Sequence, residues 1–67
     1  MKELTALGKK IATARKAAHL TQEDLAGAAE MDRSYLSEVE NGHKNISVLA
    51  LLKLAKALKM DVREFFL

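Results

Sequence analysis

The chain has 67 residues, no cysteine, no proline and a formal net charge of +2 at pH 7. A chain of this length forms one small domain that buries only about 60% of the surface exposed when unfolded. Without cysteine it forms neither a disulfide framework nor a thiolate metal site, and two isolated histidines do not make a metal site. No apolar run approaches the roughly 20 residues that span a bilayer, and the start lacks a signal peptide. We therefore expect a cytoplasmic protein without metal or cofactor.

The composition favours an all-helical chain, because proline is absent while Ala, Leu and Lys are frequent. A net charge of +2 is only mildly basic, which neither requires nor excludes a nucleic-acid partner. The aromatic content of 4% argues against a stacking platform for single-stranded nucleic acid. A nucleophile–base pairing, a glycine-rich phosphate loop and a metal cluster are all missing, so we expect no enzyme and no catalytic residue.

The first predicted helix has one apolar face, marked by residues at steps of three and four. These residues are Leu4, Leu7, Ile11, Ala14 and Ala18. The opposite face carries Lys9, Lys10, Arg15 and Lys16. Gly8 lies within this helix, where glycine costs up to about 1 kcal/mol relative to alanine. Either Gly8 lies at a close helix contact, or it is simply tolerated.

Two short helices follow. Thr21 is a typical N-cap for a helix over residues 22–29. A helix this short is not stable alone, so it must be held by packing. Asp32 is the expected N-cap of the next helix, over residues 33–41, and Gly42 supplies the left-handed conformation favoured just past a helix end.

The remaining residues predict two more helices. Ser47 is the expected N-cap of a fourth helix over residues 48–58. Its apolar stripe, which Leu49 widens, exceeds what one buried face requires. Asp61 and the glutamate three residues later resemble a capping box for a last short helix over residues 62–67.

Residues 22–41 have the spacing of a helix-turn-helix, in which about three residues join two helices. The inward apolar places are the fourth, eighth, tenth, fifteenth and eighteenth of this segment, namely Leu25, Ala29, Met31, Leu36 and Val39. Ala26 holds the fifth place, where a bulky side chain would prevent the two helices from crossing closely. This pattern is more specific than a generic helical hairpin.

These features resemble the phage-repressor-like (XRE-type, lambda repressor and Cro) helix-turn-helix family. The resemblance covers nearly the whole chain and rests on four segments: LGKKIATARKAAHLTQEDLA, DRSYLSEVENG, KNISVLALLKLAKAL and DVREFF. Within that family the chain is similar to the controller proteins of restriction-modification systems, which are small dimeric autoregulators. The resemblance implies a compact five-helix all-α domain over residues 1–67, whose third helix reads DNA, and a function as a sequence-specific transcriptional regulator.

The chain departs from the family pattern at two positions that usually hold glycine. These are Glu30 in the turn and Lys59 at the end of the fourth helix. If either adopts a positive φ, the non-glycine residue costs roughly 1 kcal/mol or more. Neither lies on the reading face, so we expect an effect on local stability rather than on function.

The resemblance implies roles for Gln22 and Arg33. Gln22 resembles the family's glutamine that contacts a phosphate and braces the reading helix, and a solvated first-turn glutamine is the alternative. Arg33 is the main candidate for base readout, because a guanidinium can donate two hydrogen bonds to guanine O6 and N7. A phosphate contact or an ion pair with an acid such as Glu30 is the alternative for Arg33.

Four further residues of the reading helix have several possible partners. Ser34 and Ser37 can each contact a base, a phosphate or only solvent. Tyr35 can place its hydroxyl on a phosphate or its ring on a thymine methyl, or it can pack at the edge of the core. Glu38 can accept a hydrogen bond from cytosine N4, although a salt bridge to a nearby basic residue competes.

Residues beyond the reading face complete the expected interface. Lys44 and Asn45 follow the reading helix and are expected to contact the DNA backbone, with a solvated loop as the alternative. Glu40, near the end of the helix, is interpreted as structural and as a partner of Arg15 in the first helix.

The C-terminal part leaves more apolar surface than so small a core can cover. The residues concerned are Leu49, Leu52, Phe65, Phe66 and Leu67. By analogy with the family we expect a homodimer through the last helices, on a palindromic operator, with two reading helices about 34 Å apart. Alternatively the aromatic residues close the core of the monomer, and we expect one of the two to do so.

The main rival function is an antitoxin-like or other protein-binding helical module. A protein-binding groove usually carries aromatic and aliphatic anchors, whereas the face from Arg33 to Glu38 is polar. This difference favours double-stranded DNA as the partner. RNA polymerase is a further candidate partner, and we expect neither a membrane nor a small-molecule ligand.

Overall fold

The computed structural model describes residues 2–67. It contains α1 (Lys2–Ala17), α2 (Gln22–Ala28), α3 (Arg33–Glu40), α4 (Val48–Ala57) and a C-terminal 3-10 helix (Val62–Phe66). The all-α prediction is confirmed, and the helices predicted over 22–29, 33–41, 48–58 and 62–67 each lie within one residue of the observed bounds. The last element differs in type, since it is a 3-10 helix. Within the described residues, no helix has the length and apolar character needed to cross a membrane.

Every element contributes one large, fully buried side chain to a single core. α3 packs on α1 and α2, α2 packs on α4, and the 3-10 helix closes the core against α1 and α4. The five side chains are Ile11, Leu25, Leu36, Leu54 and Phe65. Burying a side chain of this size stabilises the fold by about 1.5–3 kcal/mol, so the removal of any one element would open the whole core.

The helix-turn-helix places its inward residues as predicted. Leu25, Ala26, Ala29, Leu36 and Val39 are buried, and Met31 packs against them from the turn. The small side chain of Ala26 lies in this core, on the helix that packs against α3. The prediction for Ala18 was wrong, because α1 ends at Ala17 and Ala18 is exposed in the turn that follows.

The capping interactions differ from helix to helix. At α2 the Thr21 hydroxyl accepts a hydrogen bond from the Asp24 amide, and the Asp24 carboxylate accepts one from the Thr21 amide, both at 3.0 Å. Hydrogen bonding to the Asp24 carboxylate, from the Thr21 amide first and the Thr21 side chain second, lowers the pKa of Asp24. Asp32 occupies the N-cap position of α3 as predicted, but its side chain makes no capping hydrogen bond.

The capping box predicted at Asp61 does not form. The Asp61 carboxylate accepts instead from the Arg63 amide at 2.9 Å and from the Arg63 guanidinium at 3.0 Å. An N-cap side chain accepts from the amide two or three positions on, and Asp61 bonds to the nearer one. The side-chain bond to Arg63 is the larger of the two causes that lower the pKa of Asp61.

Just beyond the ends of α1, α2 and α4, a non-glycine residue adopts a positive φ. These residues are His19 (φ 60°), Glu30 (φ 56°) and Lys59 (φ 56°). The amide that follows each of them bonds to the carbonyl five residues earlier, at 3.1, 2.9 and 3.0 Å respectively. This is the Schellman arrangement, which requires a positive φ. The residues donating these bonds, Leu20, Met31 and Met60, pack against the core. Glu30 and Lys59 therefore adopt the costly conformation considered from the sequence.

Replacement of Glu30 or Lys59 by glycine is expected to raise the free energy of unfolding by up to about 1 kcal/mol each, since glycine adopts a positive φ without steric cost. Urea denaturation would measure the gain. As a control, Glu23→Gly within α2 should lower stability by about 1 kcal/mol, because glycine there only weakens the helix. A loss of stability in all three variants would contradict this explanation.

Gly8 lies where α1 crosses the end of α3. A β-carbon at this position would collide with the backbone carbonyl oxygens of Val39 and Glu40. Of the two explanations left open by the sequence, the close helix contact is the one observed. The two helices approach so closely because residue 8 has no side chain.

Gly8→Ala is therefore expected to destabilise the protein by about 1–3 kcal/mol, since the added methyl forces α1 and α3 apart. Gly27→Ala is the matched control: a β-carbon at Gly27 would meet nothing within 4 Å, and alanine is the better helix former by up to about 1 kcal/mol. Thermal and urea unfolding of the two variants should shift in opposite directions. Equal shifts would show that the crossing of α1 and α3 tolerates a side chain.

Candidate nucleic-acid interface

The polar face of α3 lies opposite its buried residues. Leu36, Val39 and Glu40 point into the protein. On the other side Arg33, Ser34 and Glu38 are exposed, whereas Tyr35 and Ser37 are half-buried. The five side chains predicted along the reading helix thus share a surface, but two of them reach it only in part.

A buried ion pair joins α1 to the end of α3. The Arg15 guanidinium donates to Glu40 through Nε at 2.8 Å and through Nη2 at 3.0 Å. Its Nη1 donates to the carbonyl oxygen of Leu20 at 2.9 Å. Hydrogen bonding to Glu40 is the main cause that raises the pKa of Arg15. The predicted pairing of Arg15 with Glu40 is confirmed.

Gln22 bridges this ion pair and the first residue of α3. Its Nε2 donates to Glu40 Oε1 at 3.0 Å, and its Oε1 accepts from Arg33 Nη1 at 3.5 Å, near the outer limit for a hydrogen bond. Gln22 is half-buried, so a fully solvated glutamine does not describe it. Arg33 approaches Gln22, and an ion pair with Glu30 does not form among residues 2–67.

Tyr35 connects α3 to the loop that follows it. The half-buried ring packs against the core, and its hydroxyl lies 3.3 Å from the carbonyl oxygen of Asn45, to which it donates. Lys44 and Asn45 themselves are exposed. Tyr35 therefore attaches to α3 the loop that carries Lys44 and Asn45, the two residues predicted to contact the DNA backbone.

The remaining polar residues of α3 face solvent without an ion pair. Glu38 is exposed, and the salt bridge considered for it does not form within the described part of the chain. Ser34 is exposed and Ser37 half-buried, on the same surface as Arg33. These side chains are available to a ligand.

The C-terminal apolar residues divide between core and surface. Phe65 is 2% exposed and fills the core, whereas Phe66 is 67% exposed. Consecutive residues of a 3-10 helix point about 120° apart, so the inward direction of Phe65 turns Phe66 outward. The prediction that Phe65 lies in a dimer interface is therefore corrected. Leu49, Leu52 and Leu67 are exposed, and so is Val48, for which no interface was predicted.

A short α2 set against an exposed polar α3, on a small helical core, is the arrangement of a helix-turn-helix DNA-binding domain. The chain belongs to the helix-turn-helix family, whose model matches residues 11–65. It is a DNA-binding transcriptional regulator.

Solved structures and relatives agree with this class. The crystal structure of the restriction-modification controller protein C.AhdI from Aeromonas hydrophila superposes with a TM-score of 0.97 at 41% identity, over 98% of this chain and 100% of that one. The clp gene regulator ClgR from C. glutamicum has a TM-score of 0.91 at 31% identity, over 96% and 83%. Control protein C.MunI from Mycoplasma sp is 37% identical over 60 residues, which cover 88% of this chain and 81% of that protein. The resemblance to controller proteins is confirmed.

Proposed function

We propose that the regulator binds a palindromic operator as a homodimer, with α3 in the major groove. The observation that carries this proposal is the exposed polar surface of α3, on a helix that packs against α1 and α2. Arg33 and Ser34 stand at its first turn, which is where helix-turn-helix proteins contact base edges. Similarity to C.AhdI and C.MunI further supports a restriction-modification controller protein.

Arg33 is the residue we assign to base readout. It is exposed, and its partner within the chain is the uncharged Gln22 at 3.5 Å. A guanidinium so weakly held can turn to guanine O6 and N7. Ser34, Ser37 and Glu38 supply further groups along the same face, where each can contact a base or a phosphate.

We assign phosphate contacts to residues that lie on either side of Arg33. Gln22 uses one amide N–H for Glu40, and its second N–H remains available to a phosphate. Lys44 and Asn45 lie in the exposed loop after α3, where Lys44 adds positive charge beside the groove. The Tyr35 hydroxyl holds this loop by donating its one proton to the Asn45 carbonyl, and it would have to release that bond to donate to a phosphate. No catalytic step is assigned to any of these groups.

The exposed apolar side chains support the dimer. Leu49 and Leu52, on the outward side of α4, together with Phe66 and Leu67 are between 46% and 83% exposed. An α3 of eight residues makes few contacts alone, so two copies are needed for a specific site. Apolar surface lies at the C-terminal end rather than on α3, which supports protein–protein contact there and DNA contact through α3.

Arg33→Ala is expected to weaken operator binding by about 1–3 kcal/mol and to relax specificity at one base pair. The matched control is Lys44→Ala, which should weaken binding to all duplexes alike and reduce the salt slope by about one ion. Fluorescence anisotropy at several salt concentrations, on duplexes selected from a random pool, would measure both effects. Affinity for the selected duplex that does not fall with salt would refute DNA binding, because neutralising several phosphates releases counterions.

Phe66→Asp is expected to shift the dimer to monomer, since the carboxylate would be desolvated in an apolar interface. Thr13→Asp, which adds the same charge at an exposed residue of α1, should leave the mass unchanged. Sedimentation equilibrium of both variants tests this proposal. A Phe66→Asp protein that keeps the wild-type mass would reject the C-terminal interface.

A further inference from the structure

A continuous series of hydrogen bonds runs from the interior of the protein to the surface proposed to read DNA. It begins at the buried guanidinium of Arg15, passes through Glu40 and Gln22, and ends at the exposed Arg33. The four residues come from α1, α2 and α3. Arg33 is therefore connected to a group 18 positions away in sequence, Arg15, whose own position is fixed by burial.

The atom at the centre of this series is Oε1 of Glu40. It accepts from Arg15 Nη2 and from Gln22 Nε2, each at 3.0 Å. A carboxylate only accepts hydrogen bonds, so the Gln22 amide must turn its NH2 group toward Glu40. Its carbonyl oxygen then faces Arg33, whose guanidinium only donates. The reversed amide would direct N–H groups at Arg33 and would have no donor for Glu40.

We propose that Glu40 is a positioning residue for base readout, which acts by orienting the Gln22 amide so that its oxygen holds the Arg33 guanidinium. This inference rests on the proposed function, because it requires Arg33 to contact a base. Arg33 is long and exposed, and an unrestrained arginine loses rotamer freedom when it binds. A carbonyl oxygen that restricts the guanidinium before binding reduces that loss. At 3.5 Å the contact is weak, so it biases Arg33 without locking it.

The plain alternative is that Arg15 and Glu40 only hold α1 against α3. In that case their replacement changes stability, and the affinity for every duplex falls by the same factor. A positioning role makes a different prediction. The preference for the base pair read by Arg33 changes, while the affinity for unrelated duplexes stays the same.

The test is a double variant, Arg15→Met with Glu40→Met. It replaces the ion pair by apolar side chains of similar length, a change that buried ion pairs often tolerate, and it removes the acceptor of Gln22. The measured quantity is the ratio of dissociation constants for the selected operator and for the operator changed at the base pair that Arg33→Ala identifies. We expect this ratio to fall roughly threefold to tenfold, the effect of one modest hydrogen bond.

Two further variants separate positioning from stability. Glu40→Gln keeps an oxygen acceptor for Gln22 while it weakens the ion pair, so its ratio should stay within about twofold of the wild type. Gln22→Met leaves the ion pair intact and removes the bridge to Arg33. It also removes the phosphate contact proposed for Gln22, but that loss lowers the affinity for both duplexes alike and cancels in the ratio. The ratio should therefore fall as it does in the double variant. If the double variant does not fold, Gln22→Met by itself still tests the positioning role.

The effect must also depend on Arg33. In an Arg33→Ala background, the double variant or Gln22→Met should lower the ratio no further, since both act through the same guanidinium. An unchanged ratio in the double variant and in Gln22→Met, or an equal fall with and without Arg33, would overturn the positioning role.

A measurement without DNA distinguishes failure of this inference from failure of the proposed function. In the free protein, NMR should show the Gln22 side-chain amide protons hydrogen-bonded in the wild type and in Glu40→Gln, but not in the double variant. Identical Gln22 signals in all three proteins would reject the orientation by Glu40. If those signals differ as expected but Arg33→Ala leaves every base preference unchanged, the proposed readout by Arg33 is wrong.

Discussion

The position of α3 depends on the buried ion pair between Arg15 and Glu40. Two buried charges are costly unless they are paired and their remaining hydrogen-bonding groups are satisfied. Here the guanidinium donates through three nitrogens, to Glu40 and to the Leu20 carbonyl, and both carboxylate oxygens accept. Glu40 also lies with its backbone carbonyl against Gly8, where α1 touches the backbone of α3. Loss of either charge would strand the other in the core, at the junction that orients α3.

The rest of the core is small, which explains why each element matters. Five large side chains, one per element, are fully buried. The residues with positive φ that follow α1, α2 and α4 turn the chain so that the next apolar residue packs against this core. Apolar side chains that the core does not cover remain at the C-terminal end. A dimer through that end would bury part of this surface and bring together two reading helices, so stability and DNA binding would be linked.

Much of the fold followed from local patterns in the sequence. Apolar spacing and N-cap residues placed the last four helices within one residue of their observed bounds, because both signals depend on neighbours in the chain. Predictions that required a particular side-chain geometry were less accurate. Asp32 makes no capping bond and Asp61 bonds to Arg63 rather than forming a capping box, since a cap also depends on rotamer and helix type. In the site, the polar face of α3 and the Arg15–Glu40 pair were predicted, whereas the bond from Tyr35 to the loop was not.

By itself, the sequence determined the helical class, the helix-turn-helix spacing and the residues that face outward on α3. These are properties of periodicity, and they hold whichever way the helices pack. Only the tertiary structure decided that Phe65 fills the core while Phe66 is exposed, because that choice depends on the rotation of one 3-10 helix against α1 and α4. It also brought Gln22 between Glu40 and Arg33. Those three residues are separated along the chain, and only the crossing of α2 and α3 on α1 places them within hydrogen-bonding distance.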